Sequence, residues 1–295
     1  MSIPGLNLID LMPITLNCRG RIVDLQKPRI MGILNLTPDS FYDGGRYLSE
    51  STVLHQAEKM LLEGTTWIDI GGVSTRPGAQ AIGEVDEMRR VLPFVETITR
   101  HFPDALLSID TSRANVARAA VQAGACLIND VSGGADEAMF ETVANLKVPY
   151  ILMHTQGTPQ TMQQNPQYND VVYEVTEFLA QKIGLLRKTG VHDIIADVGF
   201  GFGKTVQHNH TLLHNMDTIG RVIAVPLLAG LSRKSMVYKP LNCSPADALN
   251  GTSVLNTVAL LKGAKILRVH DVKAAQEVIQ LCFFEKVFEA SRKFT

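Results

Sequence analysis

An alternation running from about residue 30 to the end limits the folds open to this chain: a short apolar run, a polar or glycine-rich patch, then a longer segment of helical period. The apolar runs occupy residues 30–34, 67–70, 106–109, 126–128, 148–153, 194–198, 226–229 and 265–269. Runs this short and rich in Ile, Leu and Val read as buried strands, and eight of them suggest eight parallel strands. The stretches 51–63, 84–101, 114–123, 136–146, 169–188, 246–262 and 272–290 read as the intervening helices. Such alternation leaves two architectures, a closed barrel or an open doubly wound sheet.

The polar patches separate the two. They read Asn35-Leu36-Thr37-Pro38-Asp39, Gly71-Gly72-Val73-Ser74-Thr75-Arg76-Pro77-Gly78, Asp110-Thr111-Ser112, Asn129-Asp130, His154-Thr155-Gln156-Gly157, Gly199-Phe200-Gly201-Phe202-Gly203-Lys204, Ser232-Arg233-Lys234-Ser235 and His270-Asp271. An open sheet concentrates such groups at one switch point, whereas a barrel collects them from every strand end into one ring. The expectation is therefore an α/β protein, a single-domain (β/α)8 TIM barrel over residues 30–295, with its site at the C-terminal ends of the strands. Residues 1–29 form a short extension before the first barrel strand, with a possible hairpin around residues 17–21 that plugs the barrel bottom. A length of 295 residues suits one such domain.

Composition narrows the partners. With 28 basic and 29 acidic side chains the formal net charge is −1, which gives no electrostatic reason to expect nucleic acid. No apolar run is long enough to span a bilayer, and the first residues lack the pattern of a signal peptide. The four cysteines are scattered with no Cys-x-x-Cys pair, so the expected compartment is a reducing cytoplasm.

Asp110, Asn129 and Asp197 end three different runs, so a barrel makes them converge on one cavity as hydrogen-bond acceptors suited to a flat heterocycle with several N–H donors. Each could instead cap the helix that follows it. Arg76, Lys234, Arg268 and His270 offer the opposite charge, the pattern of a phosphate-type site in barrel loops. Surface cations are the plain alternative, but Arg268 sits inside the apolar strand Ile266-Leu267-Arg268-Val269-His270. His208-x-His210 with His214 has the spacing of a metal half-site, but it lies beyond the sixth loop and not at a strand end, so a solvated helix is the better reading.

Taken together these motifs resemble the dihydropteroate synthase family over almost the whole chain from residue 30. The resemblance rests on Met31-Gly32-Ile33-Leu34-Asn35-Leu36-Thr37-Pro38-Asp39-Ser40-Phe41, Ser74-Thr75-Arg76-Pro77-Gly78, Ile109-Asp110-Thr111, Ile128-Asn129-Asp130, Gln156-Gly157-Thr158-Pro159, the glycine-rich 199–204 segment, Ser232-Arg233-Lys234-Ser235 and Arg268-Val269-His270-Asp271. Each is a modest signal alone; their number and order make the match specific. The family implies a cytoplasmic, homodimeric transferase of a pterinylmethyl group, the target of sulfonamides. It joins (7,8-dihydropterin-6-yl)methyl diphosphate to 4-aminobenzoate with Mg2+, through early loss of diphosphate.

Carried over motif by motif, the resemblance makes Asp110, Asn129, Met153, Asp197 and Lys234 pterin ligands. Asn35 becomes the Mg2+-linked residue on the diphosphate side. Arg76, Arg268 and His270 become the diphosphate clamp, and Phe41, Thr75, Pro77, Phe202 and Ser235 the aminobenzoate pocket. Asp43 assists closure and the incoming amine, so the catalytic set is Asp43, Arg76, Lys234, Arg268 and His270. Val73, Val198, Tyr42 and Thr155 depart from the commonest family pattern. Three rivals stay open: a pterin-dependent methyltransferase, a metal-dependent hydrolase using His208 and His210, and a non-catalytic pterin-binding paralogue.

Overall fold

The structure is a computed structural model, and it describes residues 14–36, 49–73, 82–158, 161–162 and 165–292. The chain enters through a small antiparallel hairpin, β1 (Thr15–Cys18) paired with β2 (Arg21–Asp24). Arg19 and Gly20 turn it with φ of 54° and 88°, the two left-handed residues that a two-residue turn between twisted strands requires. The hairpin expected around residues 17–21 is therefore present.

Eight parallel strands then close on themselves: β3 (Arg29–Asn35), β4 (Trp67–Gly71), β5 (Leu106–Asp110), β6 (Leu127–Asp130), β7 (Tyr150–Met153), β8 (Ile194–Asp197), β9 (Leu227–Ala229) and β10 (Ala264–Val269). β10 pairs with β3 to shut the ring, as the barrel reading expected. Two apolar cores follow from strand alternation. One lies between strands and helices and holds Ile30, Leu34, Ile68, Ile70, Ile109 and their neighbours. The other fills the barrel's lower interior with Met31, Trp67, Cys126, Leu127, Ile151, Ile195, Leu228 and Ile266, and Leu16, Cys18, Val23 and Leu25 of the hairpin segment close it from below.

The helices between the strands are α1 (Glu50–Leu62), α2 (Glu84–His101), α3 (Ala114–Ala123), α4 (Met139–Leu146), α5 (Val171–Lys188), α6 (Val206–His214), α7 (Met216–Ile223), α8 (Ser235–Tyr238), α9 (Leu249–Leu261) and α10 (Val272–Arg292). Three of them, α1, α5 and α6, begin at a side-chain cap. Ser49 accepts from the Thr52 N–H at the head of α1, and Asp170 accepts from the Val172 and Tyr173 N–H groups at the head of α5. Two expected starts move inward for the same reason. Asp136 accepts from the Ala114 N–H of α3 and the Ala138 N–H, so α4 begins at Met139 rather than at residue 136. Ser244 and Asp247 tie a turn that delays α9 to Leu249. The pair α6 and α7, joined at Asn215, and the single turn α8 were not among the expected helices; α7 does carry an apolar period, with Met216, Ile219 and Ile223 buried on one face.

Candidate active site

The strand register sets the upper interior in rows. Asn35, Gly71, Asp110 and Asn129 are successive partners across β3 to β6, and Met153 is the partner of Asp197. Counting by twos from the inward-facing Trp67, Leu127, Ile195 and Ile266 puts Asp69, Asn129, Asp197 and Arg268 inside the barrel too.

One guanidinium joins three of these chains. Arg268 donates from Nε to Asp69 Oδ2 and from Nη2 to Asp110 Oδ2, both at 2.7 Å. Asn129 Nδ2 donates to the same Asp69 Oδ2 at 2.9 Å. Burial pushes the Asp110 carboxyl up to about 7; Arg268 opposes that rise, while Asp69, a second carboxylate on the same guanidinium, adds to it. Burial also raises Asp197, against the pull of Lys234 and of the Gly199 N–H that donates to its Oδ1 at 2.8 Å.

The cations line an open cavity of about 850 Å3 whose wall includes Asn35, Phe202, Lys234, Ser235, Arg268 and His270. Lys234 Nζ donates to Phe200 O at 2.6 Å and sits 4.7 Å from the Phe202 ring centroid. Burial lowers it to about 8, although Asp197 favours its charge. Loss of solvent contact and then Arg268 lower His270 to about 4, which favours the neutral imidazole, although the residue keeps an exposed edge. Ser232 Oγ accepts from the His270 backbone N–H at 3.3 Å and lies 3.1 Å from its Nδ1. If the hydroxyl donates to Nδ1, the ring carries its proton on Nε2. Arg233 grips Asp271 through Nε and Nη2 at 2.8 and 3.0 Å, tying the loop after β9 to that after β10.

Sequence reasoning missed the buried scaffold beneath this wall. Lys204, 1% exposed, donates to the carbonyls of Gly199 at 3.0 Å and Phe202 at 2.9 Å and lies 2.9 Å from His154 Nδ1. It wraps the glycine-rich loop around itself and onto the end of β7. A side chain at Gly199 would place Cβ 1.8 Å from the His154 carbonyl, so only glycine allows that approach. Asp69 was missed as well, and the signal was available: a carboxylate within Trp67-Ile68-Asp69-Ile70 is as anomalous as Arg268 in its own strand.

The expected site residues therefore fall into three groups. Asn35, Phe202, Lys234, Ser235, Arg268 and His270 line one cavity. Asp110 and Asn129 connect to it through Arg268 and Asp69, while Asp197 lies beside Gly230 of the wall and Met153 is buried at the end of β7. Phe41, Asp43, Thr75, Arg76 and Pro77, with Tyr42, lie outside the described residues. The histidine cluster has local work: Thr205 and His208 form a capping box at the head of α6, and His210 Nε2 lies 3.0 Å from Met236 O.

Known proteins share this fold. The family described as pterin binding enzyme matches residues 31–270. The dihydropteroate synthase of Haemophilus influenzae is 45% identical over 268 residues, covering 90% of this chain and 97% of that protein. The structure of Yersinia pestis dihydropteroate synthase with a sulfonamide drug complex superposes with a TM-score of 0.86 at 41% identity, over 95% of this chain and 100% of that one. The Xanthomonas albilineans dihydropteroate synthase with 4-aminobenzoic acid gives 0.86 at 38% identity, over 95% and 99%. The chain belongs to the pterin-binding enzyme family and, within it, to the dihydropteroate synthases, which are alkyl-transferring enzymes.

Proposed function

We propose that this chain joins (7,8-dihydropterin-6-yl)methyl diphosphate to 4-aminobenzoate, giving 7,8-dihydropteroate and diphosphate, with the C–O bond breaking before the C–N bond forms. The observation that carries this reading is the division of one strand-end ring into acceptors, Asp110, Asn129 and Asp197, and cations, Lys234, Arg268 and His270. The acceptors take the N–H groups of the pterin and steady the positive charge left on its methylene carbon. The departing diphosphate takes the bonding electron pair, and Arg268 and the neutral His270 ring can donate hydrogen bonds to it. The aniline nitrogen then attacks the methylene carbon and loses a proton, with Phe202 and Ser235 beside it. Among the described residues Ser232 Oγ lies 3.1 Å from His270 Nδ1, but Ser232 is buried and no carboxylate bonds that imidazole, so a covalent pterin adduct is no part of the scheme.

Asn35 places a hard amide oxygen in the cavity wall, a donor that suits Mg2+, which takes one or two protein oxygens and completes its shell with water and phosphate. Bound there with the diphosphate, Mg2+ would neutralise charge on the leaving group. Arg76, with Phe41, Asp43, Thr75 and Pro77, enters this proposal on the family resemblance. Competition between sulfonamides and 4-aminobenzoate, a homodimer and a cytoplasmic location belong to the same reading. Exposed Leu261, Leu281 and Phe284 on the adjoining α9 and α10 support the dimer.

The test is to mix purified protein, Mg2+, the pterin diphosphate and 4-aminobenzoate and to measure dihydropteroate and released diphosphate in equal amounts. No product would refute the assignment. A mass increase of the quenched protein by one pterinylmethyl group would refute the dissociative route.

A further inference from the structure

We propose that Asp69 is the positioning residue of this site: it fixes the amide of Asn129 with Oδ1 toward the cavity and holds Arg268 in line with it. The inference rests on the pterin reading above and adds to it a residue that touches no substrate.

Asp69 is fully buried in the middle of β4, one inward step below the row that holds Asp110 and Asn129. Its Oδ2 accepts two hydrogen bonds, from Asn129 Nδ2 at 2.9 Å and from Arg268 Nε at 2.7 Å. An amide is symmetric enough in shape to sit either way round, and its neighbours decide which end faces the ligand. A carboxylate bridged to a guanidinium accepts and does not donate, so the atom of Asn129 turned toward it must be nitrogen. Oδ1 and the second N–H of Asn129 are then left on the opposite edge, an acceptor beside a donor. That pair matches the edge of a heterocycle that shows a ring nitrogen next to an N–H. Arg268 uses Nε on Asp69 and Nη2 on Asp110, so the same carboxylate sets the plane of the guanidinium in the cavity wall.

A purely structural role explains Asp69 poorly. Its strand neighbours Trp67, Ile68 and Ile70 are apolar and completely buried, and a buried ion pair is often no more stable than well-packed apolar side chains of similar volume. Asp69 Oδ1 is buried with no partner among the described residues, a further unfavourable term. The charge makes sense through what Oδ2 orients.

Two measurements test this. In protein carrying 15N-labelled asparagine, 15N relaxation of the Asn129 side-chain NH2 should report a rigid group both before and after a phosphate-free dihydropterin is added, because the bond to Asp69 already fixes its orientation. An Asn129 NH2 as mobile before ligand as those of exposed asparagines would overturn the proposal without any variant. In the second, calorimetry with the same dihydropterin compares wild type, Asp69→Asn and the exchange Asp69→Asn with Asn129→Asp. Asp69→Asn should weaken binding about 10- to 100-fold, the range of one hydrogen bond to a charged group, and leave the KM for 4-aminobenzoate unchanged. The exchange restores the hydrogen bond between the two positions and the acceptor toward the ring N–H, but not the donor toward the ring nitrogen, and should recover part of the affinity lost in Asp69→Asn. Wild-type affinity in Asp69→Asn, or no recovery in the exchange, would overturn the role alone. Wild-type protein that took up no dihydropterin would overturn the functional reading itself, and this role with it.

Discussion

The two halves of the barrel interior are built on the same strands and are both largely buried, yet they are chemically opposite. Within one inward step, Trp67 gives way to Asp69 on β4, Leu127 to Asn129 on β6, Ile195 to Asp197 on β8 and Ile266 to Arg268 on β10. Below the step, apolar side chains pack against the hairpin, and burial itself stabilises the fold. Above it, burial disfavours every charge, and each must find a partner or a ligand. Burial therefore says nothing by itself about what a residue is for; the parity-related neighbour one step away is the informative comparison.

The sharpest way to break the comparison is to change both levels of β10. Ile266→Ala should cost about 2–5 kcal/mol of stability, seen as a lower denaturant midpoint, while the folded fraction keeps its dihydropterin affinity. Arg268→Leu should lower turnover about 10²- to 10³-fold, the usual scale for removing a donor to developing charge, with a smaller loss of affinity for a phosphate-free pterin. Equal losses for both ligands would make Arg268 a scaffold for Asp69 and Asp110 only.

A smaller effect is expected at Asp197. Asp197→Asn keeps size and burial but exchanges a charged acceptor for an amide with half the acceptor capacity. Dihydropterin binding should weaken about 10- to 100-fold, and calorimetry showing no change would remove Asp197 from the pocket.

The pH dependence sharpens the contrast further, because among the described residues the apolar end holds no carboxylate to titrate. Asp110 sits at about 7 in the folded protein against an ordinary 3.8, so it holds its proton more tightly when folded. Its contribution to stability is full below about pH 4 and is lost as pH rises through 7. Pterin binding runs the other way, since the acceptor forms as the proton leaves. Affinity for dihydropterin should rise several-fold between pH 6 and 8. Lys204, lowered by burial to about 7, titrates in the same window, so Asp110→Asn is the control. It should remove most of the slope, and an unchanged slope would assign it elsewhere.

The apolar half and the barrel itself were legible in the sequence because period and spacing report burial directly. The eight runs fall on the eight strands, shifted by at most two residues at an end. At the charged half, Asp110, Asn129, Asp197 and Arg268 were legible as strand-end polar residues. Asp69 was legible only as an anomaly, a carboxylate inside an apolar run, and the partners of Asp69 and Lys204 were not legible at all, because both are distant in sequence. Asp69 meets Arg268 across 199 positions, and Lys204 meets His154 across 50. Spacing along the chain carries no trace of such pairs, which appear only once the barrel has closed. The histidine triplet was read better: its spacing also fits a metal half-site, but the solvated helix preferred there is α6, with His208 in its cap.

That cap provides the smallest of these effects and a control belonging to neither half of the barrel. Thr205 Oγ1 accepts from the His208 N–H at 3.1 Å, and His208 Nδ1 accepts from the Thr205 N–H at 3.4 Å, so the pair satisfies two of the N–H groups at the helix start. Thr205→Ala should lower stability by about 1 kcal/mol, and His208→Ala by no more, since its bond is the longer of the two. Neither residue lines the cavity, so dihydropterin affinity and turnover should match wild type in both variants. Added zinc or a strong zinc chelator should likewise leave turnover unchanged. If His208→Ala abolished turnover while the melting temperature stayed put, the metal half-site reading would return. The charged end of the barrel would then no longer account for the chemistry by itself.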